Sequence, residues 1–133
     1  TARAPSETPV PERHALLAED DGTVRRVVRL VLQREGFKVI EAANGVAALE
    51  AWQATRPTLA VLVADVEMPL MGGPELAARL LQVHPGVRVI LMSGYVADDA
   101  VRAAIPSADV AFLQKPFDVE ELIGVVRNES RDI

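Results

Sequence analysis

The sequence contains no cysteine, so it excludes disulfides, thiolate metal sites and cysteine nucleophiles. Aromatic residues are scarce, with three Phe, one Trp and one Tyr, which leaves little from which to build a stacking platform for single-stranded nucleic acid. The 14 Lys and Arg residues are outnumbered by 19 Asp and Glu, and a net charge of −5 disfavours direct contact with nucleic acid. No apolar run reaches the roughly 18 residues that a membrane span needs. We therefore predict no nucleic acid partner and no membrane insertion.

The sequence does contain the composition of a globular domain. Half of its 133 residues are apolar and a quarter are charged, which fits one domain of ordinary size. Residues 1–13 are rich in proline and lack helical or strand periodicity, so we predict a tail or linker there. The domain itself is predicted over residues 14–129, followed by a short tail at 130–133.

From residue 15 onward, short apolar runs alternate with amphipathic stretches of helical length. This pattern predicts five βα units and a parallel sheet with helices on both faces. The predicted strands are Ala15–Ala18, Lys38–Ala42, Leu59–Ala64, Val87–Met92 and Val110–Gln114. The predicted helices are about Thr23–Arg34, Val46–Ala54, Pro74–Val83, Ala97–Ala104 and Val119–Asn128, with Gly36 ending the first.

Polar residues follow four of the predicted strands, at Asp20, Asp65, Ser93 and Lys115. The carboxyl ends of parallel strands share one edge of the sheet, where open α/β folds bind ligands. Carboxylates gathered there repel one another unless a cation neutralises them, and Mg²⁺ suits oxygen ligands. The acidic run 19–21 has a structural alternative, since Asp also caps helices. Together the residues suit phosphoryl transfer, with Asp65 as nucleophile, Lys115 as countercharge and Ser93 as hydroxyl donor.

Four segments together resemble the receiver domain of response regulators, the aspartate-phosphorylated module of two-component signalling. They read ALLAEDDGTVRR, LAVLVADVEMPLMGG, VRVILMSGY and AFLQKPF. The resemblance covers about residues 13–129. It implies an α/β, flavodoxin-like (βα)5 three-layer sandwich whose five-stranded parallel sheet has the order 2-1-3-4-5.

Carried over residue by residue, the resemblance implies a metal site and a phosphoacceptor. Glu19 and Asp20 match the family's acidic metal-binding pair, and Asp65 matches its phosphoacceptor and metal ligand. The backbone carbonyl of Glu67 is implied as a further Mg²⁺ ligand. The resemblance therefore predicts Mg²⁺ as the cofactor.

The resemblance also implies a switch that reads the phosphoryl group. Ser93 matches the hydroxyl switch residue, Phe112 the aromatic switch position, and Lys115 the phosphoryl-binding lysine before a proline, in a bond expected to be cis. Phe112 lacks the hydroxyl of the Tyr often found there, so the switch must act by packing alone. The run Met71-Gly72-Gly73 replaces an acidic or polar residue before the family's glycine, which we expect to loosen that loop.

These features predict a phosphorylation-controlled switch in a two-component phosphorelay, with a histidine kinase or histidine phosphotransfer domain as phosphodonor. The chain resembles the C-terminal receiver modules of hybrid sensor histidine kinases, which implies a cytoplasmic module of a parent that could be membrane-anchored. A stand-alone response regulator or a phosphate sink is the alternative. The surface over Tyr95–Ala104 and Ala111–Asn128 is expected to change on phosphorylation and is a candidate for homodimerisation.

Two further alternatives have less support in the sequence. An Asp-nucleophile phosphatase would use Glu67, two residues after Asp65, as its general acid, but no cap or substrate pocket is evident. A degenerate, unphosphorylated interaction domain is disfavoured because every site position holds a competent group.

Overall fold

A computed structural model of the chain describes residues 12–94 and 110–127. The strands are β1 (Arg13–Ala18), β2 (Phe37–Ala42), β3 (Leu59–Asp65), β4 (Arg88–Ser93) and β5 (Val110–Gln114). The helices are α1 (Gly22–Arg34), α2 (Gly45–Thr55), α3 (Gly73–Val83) and α4 (Val119–Arg127). Helix α4 is the predicted fifth helix, whereas the predicted fourth, Ala97–Ala104, lies outside the described residues. Within the described ranges, no helix combines the length and apolarity needed to cross a lipid bilayer.

All five strands form one parallel sheet in the order β2-β1-β3-β4-β5, which confirms the predicted topology. Parallel pairing sets equivalent strand ends side by side. Asp65 at the end of β3 is opposite Met92 of β4. Ser93 comes next on β4 and is opposite Gln114 of β5. The carboxyl ends of these three strands therefore share one edge.

The central strands β1, β3 and β4 contain continuous runs of buried apolar residues because helices cover both sides of the sheet. Successive side chains of a strand point to opposite faces. In β4, Leu91 belongs to the core under α2 and α3, and Ile90 belongs to the core under α1 and α4. Each such burial contributes about 1.5–3 kcal/mol. These two cores stabilise the sheet, and the candidate site residues lie at the carboxyl edge of that sheet.

Side-chain bonds and one glycine determine where helices begin and end. Asp21 caps α1, because its Oδ1 accepts hydrogen bonds of 2.9 and 3.2 Å from the N–H groups of the second and third helical residues. Gly36 follows α1 with φ 96°, a left-handed conformation that glycine adopts without steric cost, as the predicted stop requires. Asp118 and Glu121 form a capping box before and within α4, with reciprocal bonds of 2.7 and 2.9 Å.

The observed strands differ from the predicted ones mainly at their ends. β3 and β4 each run one residue further than predicted, so Asp65 and Ser93 are the last residues of their strands. Pairing continues past Asp65, since the N–H of Val66 donates to the carbonyl of Met92 at 2.8 Å. The backbone of Asp65 is therefore held by the sheet and not by a loop.

Candidate functional site

The carboxyl edge of the sheet collects predicted site residues from four strands. Glu19 and Asp20 follow β1, Asp65 ends β3, Ser93 ends β4 and Lys115 follows β5. The backbone N–H of Lys115 donates to the carbonyl of Ser93 at 2.7 Å, which ties the last two strand ends together. The structure thus brings these residues to one place.

Asp65 is almost fully buried, with 8% of its surface exposed. Its two carboxylate oxygens have different partners. Oδ1 accepts a hydrogen bond of 3.1 Å from the backbone N–H of Glu67. Oδ2 accepts one of 2.7 Å from the ammonium of Lys115. Because the lysine bond is charge-assisted and short, the carboxylate is held in one orientation.

Lys115 contacts two acids at once. Besides its bond to Asp65, its Nζ lies 2.8 Å from Oε1 of Glu19. Burial alone would lower the pKa of Lys115, but its hydrogen bond to Asp65, its close contact with Glu19 and the negative charges of both acids raise that pKa above the usual 10.5. The ammonium therefore stays charged at neutral pH. The Lys115–Pro116 bond is cis, as expected.

Glu19 is fully buried beside this ammonium. Its Oε2 accepts a hydrogen bond of 3.0 Å from the N–H of Asp21, while its Oε1 faces Lys115 without the angles of a hydrogen bond. Burial raises the pKa of Glu19 to about 7, against the lowering effects of the nearby Lys115 ammonium and of the hydrogen bond from Asp21, and the charge of Asp65 raises it further. A second cation would therefore favour the ionised form of Glu19.

Three carboxylates at this edge form a group that could hold a metal ion. Glu19, Asp20 and Asp65 each offer an oxygen within 4.8 Å of the other two. Asp20 is exposed, so the group opens to solvent. Mg²⁺ prefers hard oxygen ligands and keeps several waters, which such an open site allows. The buried Oε1 of Glu19 makes no hydrogen bond and contacts the Lys115 ammonium at 2.8 Å, so this oxygen lies in a setting that favours positive charge.

The acidic run divides into two roles. Asp21 caps α1, as the structural alternative for this run proposed, and Asp20 joins Glu19 and Asp65 in the carboxylate group. Glu67 contributes its backbone N–H to Asp65, and its side chain is exposed. A ligand role for the carbonyl oxygen of Glu67 stays a prediction.

The loop after Asp65 is held against the site by close backbone contacts. A Cβ on Gly73 would lie 2.5 Å from the carbonyl oxygen of Asp65, and one on Gly72 would lie 2.4 Å from that of Val66. The N–H of Gly73 donates to the Val66 carbonyl at 3.2 Å. The Met71 carbonyl accepts a hydrogen bond of 3.0 Å from the N–H of Gly45, the first residue of α2. The expectation of a loosened loop is therefore wrong, because the two glycines permit tight packing.

Ser93 and Phe112 lie on the same face of the sheet. Phe112 is opposite Leu91 on the neighbouring strand and packs half-buried against the core under α2 and α3. Ser93 comes two residues after Leu91, so strand alternation directs it to that face too. The two switch candidates are thus diagonal neighbours on adjacent strands, and their roles stay predictions.

Sequence reasoning did not identify Arg25, which contacts the acidic segment from α1. Its Nη1 donates to the backbone carbonyl of Glu19 at 2.8 Å, and its Nε lies 3.3 Å from Oε1 of Glu41 on β2. The available signal was an arginine pair about one turn after the acidic run. That pattern is common on the solvated faces of helices, so it indicated no particular contact.

An open cavity of about 440 Å³ adjoins Lys115 on the side of α1. Its lining is mainly apolar and comprises Thr23, Val24, Val27, Lys115, Pro116 and Phe117. A partially exposed apolar surface therefore lies directly beside the charged cluster.

Comparisons with known proteins bear on this geometry. A family model for the response regulator receiver domain matches residues 15–127. The chain is 39% identical over 112 residues to the sensor kinase CckA of Brucella abortus, which covers 84% of this chain but 12% of that protein. It is 30% identical over 112 residues to sporulation initiation phosphotransferase F of Bacillus subtilis, covering 84% of this chain and 89% of that protein. The solved structure of the chemotaxis response regulator CheY4 of Vibrio cholerae is similar with a TM-score of 0.75 at 26% identity, covering 89% of this chain and 98% of that one.

Proposed function

Because the chain belongs to the response regulator receiver domain family of two-component signalling, we propose that Asp65 accepts a phosphoryl group in a Mg²⁺-dependent reaction. The observation that carries this proposal is the setting of Asp65, a buried carboxylate bonded to Lys115 at 2.7 Å within a group of three acids. Receiver domains take their phosphoryl group from histidine kinases or phosphotransfer proteins, so these are the proposed donors. The proposed domain, residues 14–129, contains the matched span 15–127.

Receiver domains generally bind Mg²⁺ at an acidic pocket, and the oxygen donors of this chain fit that ion. Glu19, Asp20 and Asp65 would hold it through their carboxylates, and Glu67 through its backbone carbonyl. When bound, the ion supplies positive charge that offsets the repulsion between these acids and the incoming phosphoryl oxygens. Its affinity is expected to depend on all three carboxylates.

Asp65 provides the nucleophile. One of its carboxylate oxygens forms a bond to phosphorus while the bond from phosphorus to the donor breaks. The leaving group, an imidazole from phosphohistidine or acetate from acetyl phosphate, departs with the bonding electron pair. The product is an acyl phosphate on Asp65, and Lys115 remains beside it as a countercharge.

Ser93 and Phe112 are the proposed readers of this product. The phosphoryl group adds negative charge that existing donors must meet, and the Ser93 hydroxyl is proposed as one of them. When Ser93 moves toward the group, Phe112 can rotate into the space that it leaves on the same face of the sheet. The surface over Tyr95–Ala104 and Ala111–Asn128 would then change for partners or for a second copy of the chain.

We further propose that the chain is the receiver module of a hybrid sensor histidine kinase in the cytoplasm. Its 39% identity to a sensor kinase, of which it spans 12%, supports this context. A stand-alone regulator or phosphate sink is the competing proposal, supported by relatives that the chain nearly covers, such as phosphotransferase F at 89%. The sequence of the parent protein distinguishes the two.

The chemical step is tested by mass spectrometry after incubation with acetyl phosphate and Mg²⁺. We expect a gain of about 80 Da, one phosphoryl group, that is lost on omitting Mg²⁺ or in Asp65→Asn. Asp118→Asn is the matched control, since Asp118 caps α4 and is not one of the three grouped carboxylates. Undiminished labelling in Asp65→Asn would contradict the proposal.

A further inference from the structure

Arg25 connects the acidic segment to the sheet from the start of α1. Its Nη1 donates to the carbonyl oxygen of Glu19 at 2.8 Å, and its Nε lies 3.3 Å from Oε1 of Glu41 on β2. The side chain is 27% exposed, so most of it is packed against the protein. A guanidinium presents its donors in a rigid fork and can hold two acceptors at once. Arg25 thereby fixes the backbone of Glu19 relative to β2.

The segment that carries Glu19 and Asp20 needs such an anchor. The Lys115 ammonium bridges the carboxylates of Glu19 and Asp65, but the carboxylate of Asp20 adds a third negative charge within 4.8 Å of both, and this excess of negative charge pushes the segment away from the sheet edge. The N–H of Glu19 is tied to the carbonyl of Ala42 at 3.1 Å. Arg25 supplies the second main-chain anchor of Glu19 by binding its carbonyl.

Arg29, one turn later on α1, offers a matched comparison. Its Nη1 donates to Oε2 of Glu41 at 3.1 Å, and its side chain is 28% exposed. Arg25 and Arg29 thus share a charge, a partner and a degree of exposure. Among the contacts of the described residues, the hydrogen bond to Glu19 distinguishes Arg25 from Arg29.

We propose that Arg25 is a positioning residue that holds Glu19 and Asp20 in place for the divalent cation, an inference that rests on the proposed function. Charge alone and positioning predict opposite effects of removing Arg25. As a cation near the acidic site, Arg25 repels Mg²⁺, so its loss through charge alone would tighten Mg²⁺ binding. As an anchor, its loss lets the carboxylates separate, so Mg²⁺ binding weakens.

Calorimetric titration with Mg²⁺ measures which effect dominates. We expect Arg25→Met to weaken binding about tenfold, the factor associated with one hydrogen bond to a charged group. Arg29→Met, which removes the same charge, is expected to remain within about twofold of the wild type, since Arg29 makes no bond to Glu19 among the described contacts and a charge in contact with solvent is screened. Unchanged or tighter binding in Arg25→Met would overturn the inference. If Arg25→Met does not fold, Arg25→Gln carries the same expectations.

Amide hydrogen exchange tests the anchor without any metal. The N–H of Asp21 donates to Oε2 of Glu19 at 3.0 Å, so its protection reports the order of the acidic segment. We expect it to exchange about tenfold faster in Arg25→Met, relative to core amides such as Val63, and at the wild-type rate in Arg29→Met. Equal protection in all three proteins would overturn the inference.

The two measurements separate this inference from the function on which it rests. A wild-type chain that binds no Mg²⁺ would overturn the proposed function, and the exchange experiment would still decide whether Arg25 anchors the acidic segment. Normal Mg²⁺ binding by both the wild type and Arg25→Met would overturn the inference and leave the proposed function standing.

Discussion

The ammonium nitrogen of Lys115 lies 2.7 Å from Oδ2 of Asp65, across 50 positions of the sequence. The same nitrogen lies 2.8 Å from Oε1 of Glu19. One cation therefore offsets two buried carboxylates, and the exposed Asp20 adds a third negative charge nearby. Because this balance leaves the site negative, a divalent cation is expected to stabilise it, and the loss of the lysine to destabilise it.

Lys115→Met is expected to destabilise the metal-free protein by about 1–3 kcal/mol at pH 8, because it leaves two buried carboxylates without their cation. Added Mg²⁺ should restore part of this loss. Urea unfolding with and without Mg²⁺ measures both effects. The control is Lys38→Met, because Lys38 pairs with Glu12 at the surface with both side chains at least 60% exposed. Equal losses in the two variants would show that the buried contacts do not stabilise the fold.

Asp20→Asn is expected to weaken Mg²⁺ binding by at least about tenfold, since it removes one of three charged ligands. The metal-free fold should be unchanged or slightly more stable, because repulsion between the carboxylates falls. The matched control is Asp21→Asn, which removes the same charge from the adjacent residue while the asparagine side chain can still cap α1. Calorimetric titration with Mg²⁺ measures the affinity of each variant. Equal Mg²⁺ affinities of Asp20→Asn and Asp21→Asn would show that Asp20 is not a ligand of the ion.

The pair between Glu35 and Arg127 predicts a pH dependence of stability away from the site. The Arg127 guanidinium binds both oxygens of Glu35, at 2.7 and 3.1 Å, and its hydrogen bonds lower the pKa of Glu35 below the usual 4.5 despite the opposing effect of burial. A lowered carboxyl pKa means that the pair stabilises the fold above about pH 4.5 and that this stability disappears as the pH falls through the lowered value.

Arg127→Met is therefore expected to destabilise the protein by up to about 1 kcal/mol at pH 7, with the difference from the wild type closing toward pH 3. Urea unfolding over that pH range checks this. The exposed pair of Glu75 and Arg79 within α3 serves as the control, and Arg79→Met should change stability by less, about 0.3–0.5 kcal/mol. A difference that persists undiminished at pH 3 would assign the effect of Arg127 to other contacts.

The switch is tested with beryllofluoride, a mimic of the phosphoryl group on a carboxylate. In the wild type we expect NMR signals to shift across Ala111–Asn128 and Tyr95–Ala104. In Ser93→Ala the distant shifts should be much smaller, because the hydroxyl that draws the strand end toward the group is absent. Shifts confined to the metal site in both proteins would argue against the switch and fit a phosphate sink.

The sheet and the residues at its edge were predictable because both depend on local patterns. Apolar runs such as that before Asp65 identify buried strands, and parallel topology alone brings their ends together. Residue type and spacing alone could not separate a cap from a ligand within the acidic run, and only the family resemblance assigned Glu19 and Asp20 to the metal-binding pair. Asp21 became a cap and Asp20 a candidate ligand because the chain turns into α1 between them.

Contacts between distant side chains were not predictable, since no local pattern encodes them. The bond of Arg25 to the Glu19 carbonyl depends on the angle between α1 and the sheet. His84, directly after α3, uses its Nε2 to accept a 2.8 Å bond from the N–H of Leu59 at the start of β3. The tight packing of Gly72 and Gly73 on backbone carbonyls likewise follows from tertiary geometry, and it reversed the expectation for that loop.

Reductive trapping of the acyl phosphate tests the central claim most directly. Borohydride reduces an aspartyl phosphate to homoserine, so peptide mass spectrometry locates the phosphorylated residue. After incubation with acetyl phosphate and Mg²⁺, we expect homoserine at position 65, and none there when Mg²⁺ is omitted or after substitution of Asp65 by Asn. Homoserine at position 20 with Asp65 intact, or no conversion at position 65 under any condition, would contradict the assignment of Asp65 as the phosphoacceptor.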